Sequence, residues 1–149
     1  GIIPPEGTLT DGDRTIQEIV RDAAANADAA IDRLAIDEAV AAIWTIVDAL
    51  NGYITENEPW ALAKDDAQRE RLGTVLYTAA EGLRALAVLM SPVIPKACET
   101  LWIALGAAET LGRLRDQPIR DAGTWGQLKP GSSVNGLAPL FPRVESTID

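Results

Sequence analysis

Apolar residues recur along the first two thirds of the chain at the spacing of three and four residues that is typical of amphipathic helices. This pattern predicts three long helices, over about 13–34, 37–53 and 66–90, with the second extending slightly beyond residue 53. Polar residues lie between the apolar positions, so each helix is expected to bury one face and to expose the other.

Prolines and glycines mark the ends of the predicted helices. The run Glu56–Pro59 is expected to end the second helix, because a residue that precedes a proline is disfavoured in the helical conformation. The proline of that run can then open a short helical segment over 60–64. Ser91 and Pro92 are expected to cap and start a fourth helix, which ends near Gly106.

Beyond the fourth helix the helical pattern weakens. Leu111, Leu114 and Ile119 predict one or two short helical turns, and the glycines and prolines after Trp125 exclude a long helix. A tight turn is expected at 129–131. The prediction is therefore an all-α, antiparallel helix bundle with an irregular C-terminal tail. One domain is expected over 1–149, divided into connector, bundle and tail at about 1–10, 11–106 and 107–149.

Composition narrows the functions that the chain could perform. It is 47% hydrophobic and 23% charged, which is typical of a soluble globular protein, and no apolar run is expected to reach the roughly 18 to 20 residues that a membrane span needs. Histidine is absent and Cys98 is the only cysteine, which excludes a Ser–His or Cys–His nucleophile pair, an internal disulfide and a cysteine zinc cluster. A free-standing enzyme is therefore not expected, and a reducing cytoplasm is the expected location. The start at Gly1 instead of Met is typical of a fragment or a processed chain.

The charge of the chain is unevenly distributed. The net charge is −9, from 13 basic and 22 acidic residues. Residues 1–63 hold 12 acids and 3 bases, a difference of −9, whereas residues 64–149 hold 10 of each. Wrapping nucleic acid through its phosphates requires clustered lysines and arginines. Any RNA contact is therefore expected to be local and to depend on the bases.

One segment carries most of the recognisable chemistry. It reads Asn51-Gly-Tyr-Ile-Thr-Glu-Asn-Glu-Pro-Trp-Ala-Leu-Ala-Lys64, so that an apolar helix is followed by an acidic turn and a Pro–Trp pair. The pattern N-x-Y, five residues, then P-W-x-L-x-K resembles the segment with which methionyl-tRNA synthetases read the anticodon. The start at Gly1-Ile-Ile-Pro-Pro, the stretch from 75 to 96 and the closing 125–131 are similar to the same family, so the resemblance covers nearly the whole chain.

The resemblance implies a role for each candidate residue of this segment. Trp60 would stack on the unstacked wobble cytosine of the CAU anticodon, Pro59 would hold this platform, and Asn51 would line the same side of the bundle. Lys64 is a further candidate for RNA contact. Stacking a loop base on an aromatic plane needs no large basic patch, so these roles are compatible with an acidic chain.

The resemblance also implies a larger parent protein. Members of the family ligate methionine to tRNA(Met) with ATP and Mg²⁺, so the expected partners are the anticodon loop of that tRNA and the catalytic domain of the same polypeptide. This chain lacks the catalytic domain, and it lacks the preceding helix whose Asn and Arg read part of the anticodon in the family. The chain alone is therefore expected not to aminoacylate tRNA and to have an incomplete anticodon site. By itself it is expected to bind no cofactor or metal ion and not to associate with a membrane.

Several other residues have simpler interpretations. Trp44 and Trp102 lie on apolar stripes and are expected in the core, and Trp125 is expected to cover the bundle. Tyr53 is expected to be half-buried with a satisfied hydroxyl, and Cys98 to be a buried small hydrophobe. The charged residues have three expected positions or roles. A solvated helix start is expected to hold Lys64, Arg69 and Arg71. The acids from Asp11 to Asp48 are expected to form a solvated face, and Arg84 and Lys96 are candidates for phosphate contact.

Two alternatives stay open at this point. The first is the helical anticodon domain of a sister class I synthetase, for isoleucine, valine, leucine or cysteine. The second is an acidic helical protein-interaction domain without RNA function, in which Trp60 is buried and the first helix binds a basic partner.

Overall fold

A computed structural model of the chain describes residues 1–143, and the predicted all-α, antiparallel bundle with an irregular C-terminal tail is confirmed. The helices are α1 (Asp11–Asp32), α2 (Ile36–Asn57), α3 (Pro59–Leu62), α4 (Arg69–Met90), α5 (Pro95–Ala104) and α6 (Ala107–Leu111). Short 3₁₀ turns lie at Asp66–Gln68, Leu114–Asp116 and Ile119–Asp121. The expectation of one domain over 1–149 stays a prediction, and its end, 144–149, lies outside the described residues.

The core of the bundle lies between α1, α2 and α4. The buried face of α1 is built largely of alanines, which let α2 and α4 pack against its backbone. Ile46 and Val75 fill the space between the helices and are fully buried. Burying side chains of this size contributes about 1.5–3 kcal/mol each. Most of the apolar stripes of the sequence therefore lie in the core, although Leu34, Leu76 and Trp44 are exposed.

The end of α2 lies within the predicted run Glu56–Pro59, whereas the start of α5 differs from the prediction. α2 ends at Asn57, because the next residue, Glu58, adopts a left-handed conformation with φ 43°. α5 starts at Pro95 instead of Pro92. Ser91 is not its N-cap, since its hydroxyl donates to the carbonyl of Val88 at 2.8 Å and its backbone stays in the right-handed helical region. A second proline three residues later sets the actual start of the helix.

The N-terminal connector and the C-terminal tail hold each other at one end of the bundle. Ile3 donates its backbone N–H to Ser132 at 2.8 Å and accepts one from Gly131, also at 2.8 Å. The tight turn predicted at 129–131 is confirmed by a bond of 3.1 Å from the N–H of Ser132 to the carbonyl of Lys129. The connector then runs along α4 towards the start of α1, where Gly7 donates to the hydroxyl of Thr74 at 2.9 Å.

The segment Asp66–Met90 requires a correction to the sequence-based expectation about membranes. By length and composition alone it is apolar enough to cross a bilayer, with a mean hydropathy of 1.3 over an 18-residue window. In this fold, 61% of that window is buried inside the protein. The segment also carries Glu81 and Arg84, both buried. Its hydropathy is thus explained by its position at the centre of the bundle.

Candidate nucleic-acid interface

Trp60 lies on the surface of the protein, in the short helix α3. Its side chain is 56% exposed, whereas Trp102 is fully buried. Leu62 of the same turn packs against the core, so α3 is fixed to the bundle on one side and presents the indole on the other. An exposed aromatic plane on a fixed turn is the geometry that stacking of an unpaired base requires.

The backbone between α2 and α3 determines where Trp60 is presented. Glu58 ends α2 by donating its N–H to Ile54 at 3.0 Å, and its carbonyl then accepts from Ala61 at 2.7 Å to start α3. The left-handed conformation of Glu58 turns the chain sharply at one residue. Pro59 follows at the first helical position, where its fixed φ and missing N–H cost nothing. The backbone of Trp60 therefore directly follows two conformationally restricted residues, Glu58 and Pro59.

A buried polar cluster lies beneath this turn. Asp13, at the start of α1, is fully buried and accepts a hydrogen bond of 2.6 Å from the hydroxyl of Tyr53 on α2. Arg71, on α4, donates to both carboxylate oxygens of Asp13, at 2.6 and 2.9 Å. The same guanidinium donates to the side-chain oxygen of Asn57 at 2.5 Å. The cluster thus joins α1, α2 and α4, and one of its members, Asn57, directly precedes Glu58.

The ionisation of the cluster matches its hydrogen bonding. Burial by itself would raise the pKa of Asp13, but the bonds from Arg71, Tyr53 and the Thr10 backbone outweigh it and lower that pKa from 3.8 to about 2. Burial and the neighbouring Asp13 carboxylate raise the pKa of Tyr53 to about 12. At neutral pH the cluster is therefore an ion pair capped by a neutral phenol. Asp13 also closes a capping box with Thr10, which fixes the start of α1.

The charges around Trp60 are mixed. Lys64 is exposed, and no ion pair of its side chain occurs within residues 1–143. Arg69 pairs with Asp66 at 2.9 Å on the exposed surface. Glu56 and Glu58 lie before the indole, so no dense basic patch surrounds it. Recognition of a polyanion at this place would depend on a flat apolar contact more than on phosphate neutralisation.

The four predicted site residues are only partly brought together. Pro59, Trp60 and Lys64 occupy one short segment, in which Pro59 is half-buried and the other two are exposed. Asn51 is exposed on α2, about two turns before Glu58. No hydrogen bond joins the side chain of Asn51 to that segment in the part of the chain that the structure describes. Its membership in the site stays a prediction.

Other expectations about this region are wrong. Arg71 is not part of a solvated helix start, since it pairs with buried Asp13, and Asp13 is therefore not part of the solvated acidic face. Tyr53 is only 4% exposed instead of half-buried, although its hydroxyl is satisfied as predicted. Arg84 is only 1% exposed and pairs with Glu81, so it is unavailable to phosphate.

The predictions for Trp102, Cys98 and Trp125 are confirmed, whereas the prediction for Trp44 is wrong. Trp102 and Cys98 are buried as predicted. Trp125 packs against the core and donates its indole N–H to Glu6 at 3.2 Å, as expected for a residue that covers the bundle. Trp44 is not in the core: it is 53% exposed and lines an apolar cleft of about 220 Å³ with Phe141 and other residues. Periodicity alone could not tell that this position on the apolar stripe of α2 stays exposed at the rim of a cleft.

Comparison with known proteins places this geometry in context. The family model described as the anticodon binding domain of methionyl tRNA ligase matches residues 3–147. The methionine–tRNA ligase of Streptomyces coelicolor is 44% identical over 148 residues, which are 97% of this chain and 28% of that protein. The corresponding ligase of Deinococcus radiodurans is 40% identical over 149 residues, which are 100% of this chain and 21% of the relative.

Solved structures give the same result. The free-state methionyl-tRNA synthetase of Mycobacterium tuberculosis superposes with a TM-score of 0.84 at 26% identity, over 97% of this chain and 28% of that one. The structure of the same organism's enzyme in complex with methionyl-adenylate superposes with a TM-score of 0.81 at 27% identity, over 96% of this chain and 27% of that one. The chain thus spans between about a fifth and 28% of the length of these proteins.

Proposed function

The chain belongs to the family of anticodon-binding domains of methionyl tRNA ligase, and from this membership we propose that it recognises the anticodon loop of tRNA(Met) by stacking a loop base on Trp60. The observation that carries the proposal is the 56% exposed indole on α3, held by Pro59 and by the left-handed turn at Glu58. Bases in a single-stranded loop can be splayed out and stacked on an aromatic side chain, and an aromatic plane that is already fixed lowers the entropy that must be lost on binding.

The other candidate residues have supporting roles in this proposal. Pro59 restricts the backbone next to the indole, and Lys64 supplies a single positive charge one helical turn further along the chain. Asn51 supplies an amide that can hydrogen-bond to a base edge from the exposed side of α2. The rest of the surface around Trp60 is too acidic to bind RNA through phosphates alone.

The larger activity is proposed for the whole polypeptide. It would ligate methionine to tRNA(Met) with ATP and Mg²⁺, and this chain would work beside the catalytic domain of the same polypeptide, in the cytoplasm where tRNA is used. The residues described here do not fit the metal, since residues 1–143 contain no group of three or more acidic, histidine or cysteine side chains that could hold an ion. In this proposal ATP and Mg²⁺ are bound by the catalytic domain, as the family membership implies.

The alternatives weighed on the sequence are less well supported. The family model and the relatives are specific for methionine, which disfavours a sister synthetase. The protein-interaction alternative required Trp60 to be buried, and it is exposed.

A binding experiment with matched tryptophan variants tests the proposal. In the full-length polypeptide, Trp60→Ala is expected to weaken binding of a CAU anticodon stem–loop by about 5- to 150-fold, since stacking contributes about 1–3 kcal/mol per base. Trp44→Ala removes an equally exposed indole elsewhere on the surface and is the control. Equal dissociation constants for Trp60→Ala and the unmodified protein would refute the anticodon role.

A further inference from the structure

The Asp13–Tyr53–Asn57–Arg71 cluster lies under the turn that carries Trp60, and none of the roles above uses it. Asp13 is fully buried and binds both Tyr53 and Arg71. A bidentate guanidinium–carboxylate pair has a fixed geometry as well as a favourable energy. The cluster therefore places the guanidinium of Arg71 at a defined position relative to α1 and α2.

Asn57 connects this fixed point to the turn. Its side-chain nitrogen donates to the carbonyl of Tyr53 at 2.9 Å, and its side-chain oxygen accepts from Arg71 at 2.5 Å. It is the last residue of α2, so the next residue is Glu58 in the left-handed conformation, followed by Pro59. A non-glycine residue in that conformation is strained and persists only when the surroundings determine it.

We propose that Asn57 and Arg71 are positioning residues for anticodon recognition: they fix the end of α2, and with it the orientation of Trp60, without touching the RNA. The inference rests on the proposed function of Trp60. Arg71 is accordingly not proposed as a phosphate ligand, because three of its five N–H donors are held by Asp13 and Asn57 and its charge is paired with the buried Asp13 carboxylate. Small displacements of a recognition group lower affinity even when the group itself is unchanged.

Asn57→Ala is the main test, because it changes no charge and leaves the Asp13–Arg71 pair in place. In the full-length polypeptide it is expected to weaken binding of the CAU anticodon stem–loop by about 3- to 20-fold, which lies within the roughly 2- to 150-fold that coupling energies in one hydrogen-bonded network span. In a Trp60→Ala background the same change is expected to alter the dissociation constant by less than about 2-fold. A merely structural role would lower affinity equally in both backgrounds.

Two further variants separate positioning from direct contact. Arg71→Lys keeps the positive charge but cannot hold Asp13 and Asn57 with the same two-pronged geometry, so it is expected to weaken binding when Trp60 is present. In a Trp60→Ala background the same change is expected to have little effect, whereas loss of a direct phosphate contact would weaken binding in both backgrounds. Arg69→Lys is the matched control, two residues away and exposed. Asn57→Asp keeps the oxygen that Arg71 binds but cannot donate to the Tyr53 carbonyl, so its affinity is expected to lie between those of Asn57→Ala and the unmodified protein.

The outcomes distinguish the two proposals. Weakening by Asn57→Ala only when Trp60 is present supports positioning. An undiminished affinity, or an equal loss in both backgrounds, overturns it while leaving the stacking role of Trp60 intact. If Trp60→Ala itself has no effect on binding, the anticodon role fails, and the positioning role fails with it. Circular dichroism of every variant ensures that only folded protein is compared.

Discussion

The guanidinium of Arg84 donates a hydrogen bond of 3.0 Å to the carboxylate of Glu81 one helical turn earlier, and both side chains are sealed from solvent. The pair also binds the backbone of the tail. Arg84 donates to the carbonyls of Ala122 and Thr124 at 3.1 and 3.0 Å. Glu81 accepts from the N–H groups of Gly126 and Leu128 at 3.0 and 2.6 Å. This ion pair therefore joins the irregular tail to α4 at four backbone groups, and the hydroxyl of Tyr77 on α4 adds a further bond to the carbonyl of Leu128 at 3.0 Å.

Removing the cation of this pair is expected to destabilise the fold strongly. Arg84→Met leaves the Glu81 carboxylate buried without its counter-charge, and such changes cost about 3–5 kcal/mol. Urea unfolding monitored by circular dichroism measures the loss. Arg113→Met removes the arginine of an exposed pair with Asp116 at the same three-residue spacing, and is expected to cost below about 1 kcal/mol. Comparable losses for the two variants would contradict the assignment of the Arg84 pair as the anchor of the tail.

The ionisation of Asp13 is expected to make the stability of the bundle fall at low pH. Its pKa is lowered from 3.8 to about 2 in the folded state, so the folded state favours the ionised carboxylate. The corresponding stabilisation is complete above about pH 5, and it is lost as the pH falls through 3.8 towards 2. At about 1.4 kcal/mol per pKa unit, the loss amounts to roughly 2 kcal/mol.

Replacing Asp13 tests this dependence. Asp13→Asn is expected to lower stability at neutral pH and to reduce the fall in stability between pH 5 and pH 2 by roughly 2 kcal/mol, because its amide does not titrate. Unfolding free energies measured by urea at several pH values give both quantities. Asp11→Asn, in the same first turn but exposed, is the control. An unchanged acid dependence in Asp13→Asn would show that other carboxylates are responsible.

The helices could be predicted from the sequence because their apolar spacing and their breakers agree. The end of α2 near Pro59 follows from local rules about proline and helix caps. The exposure of Trp60 does not follow from these rules, and it was expected because the segment from Asn51 to Lys64 resembles a known anticodon-reading segment. The start of α5 was harder to predict, since Pro92 and Pro95 both suit a first helical turn. The backbone conformations decide between the two prolines, because Ser91 stays helical whereas Ile94 leaves the helical region directly before Pro95.

The polar clusters depend on contacts that no local pattern encodes. Asp13 and Arg71 are 58 positions apart, and each has exposed charged neighbours, so the sequence favours a solvated interpretation for both. The one available signal was Thr10 three residues before Asp13, which indicates a capping box and hence a constrained carboxylate. Trp44 shows the opposite error, because an apolar stripe does not reveal which part of it is covered.

In the full-length polypeptide, aminoacylation of tRNA and activation of methionine are expected to respond differently to loss of Trp60. Trp60→Ala is expected to lower kcat/KM for tRNA(Met) by about 5- to 150-fold, the range that loss of one stacked base implies. ATP-dependent activation of methionine needs no anticodon contact and is expected to stay within about 2-fold of the unmodified protein. Steady-state aminoacylation and pyrophosphate exchange measure the two reactions on the same preparation.

A tRNA with a changed wobble base extends this test. If the stacked base is held on Trp60 so that neighbouring groups can bond to its edge, the unmodified protein discriminates against the changed tRNA. The discrimination is then expected to shrink in Trp60→Ala, because the base is no longer held in place for those bonds. A parallel loss of methionine activation would instead indicate damage that extends beyond the anticodon contact. Full discrimination by Trp60→Ala would assign the reading of the wobble base to other residues.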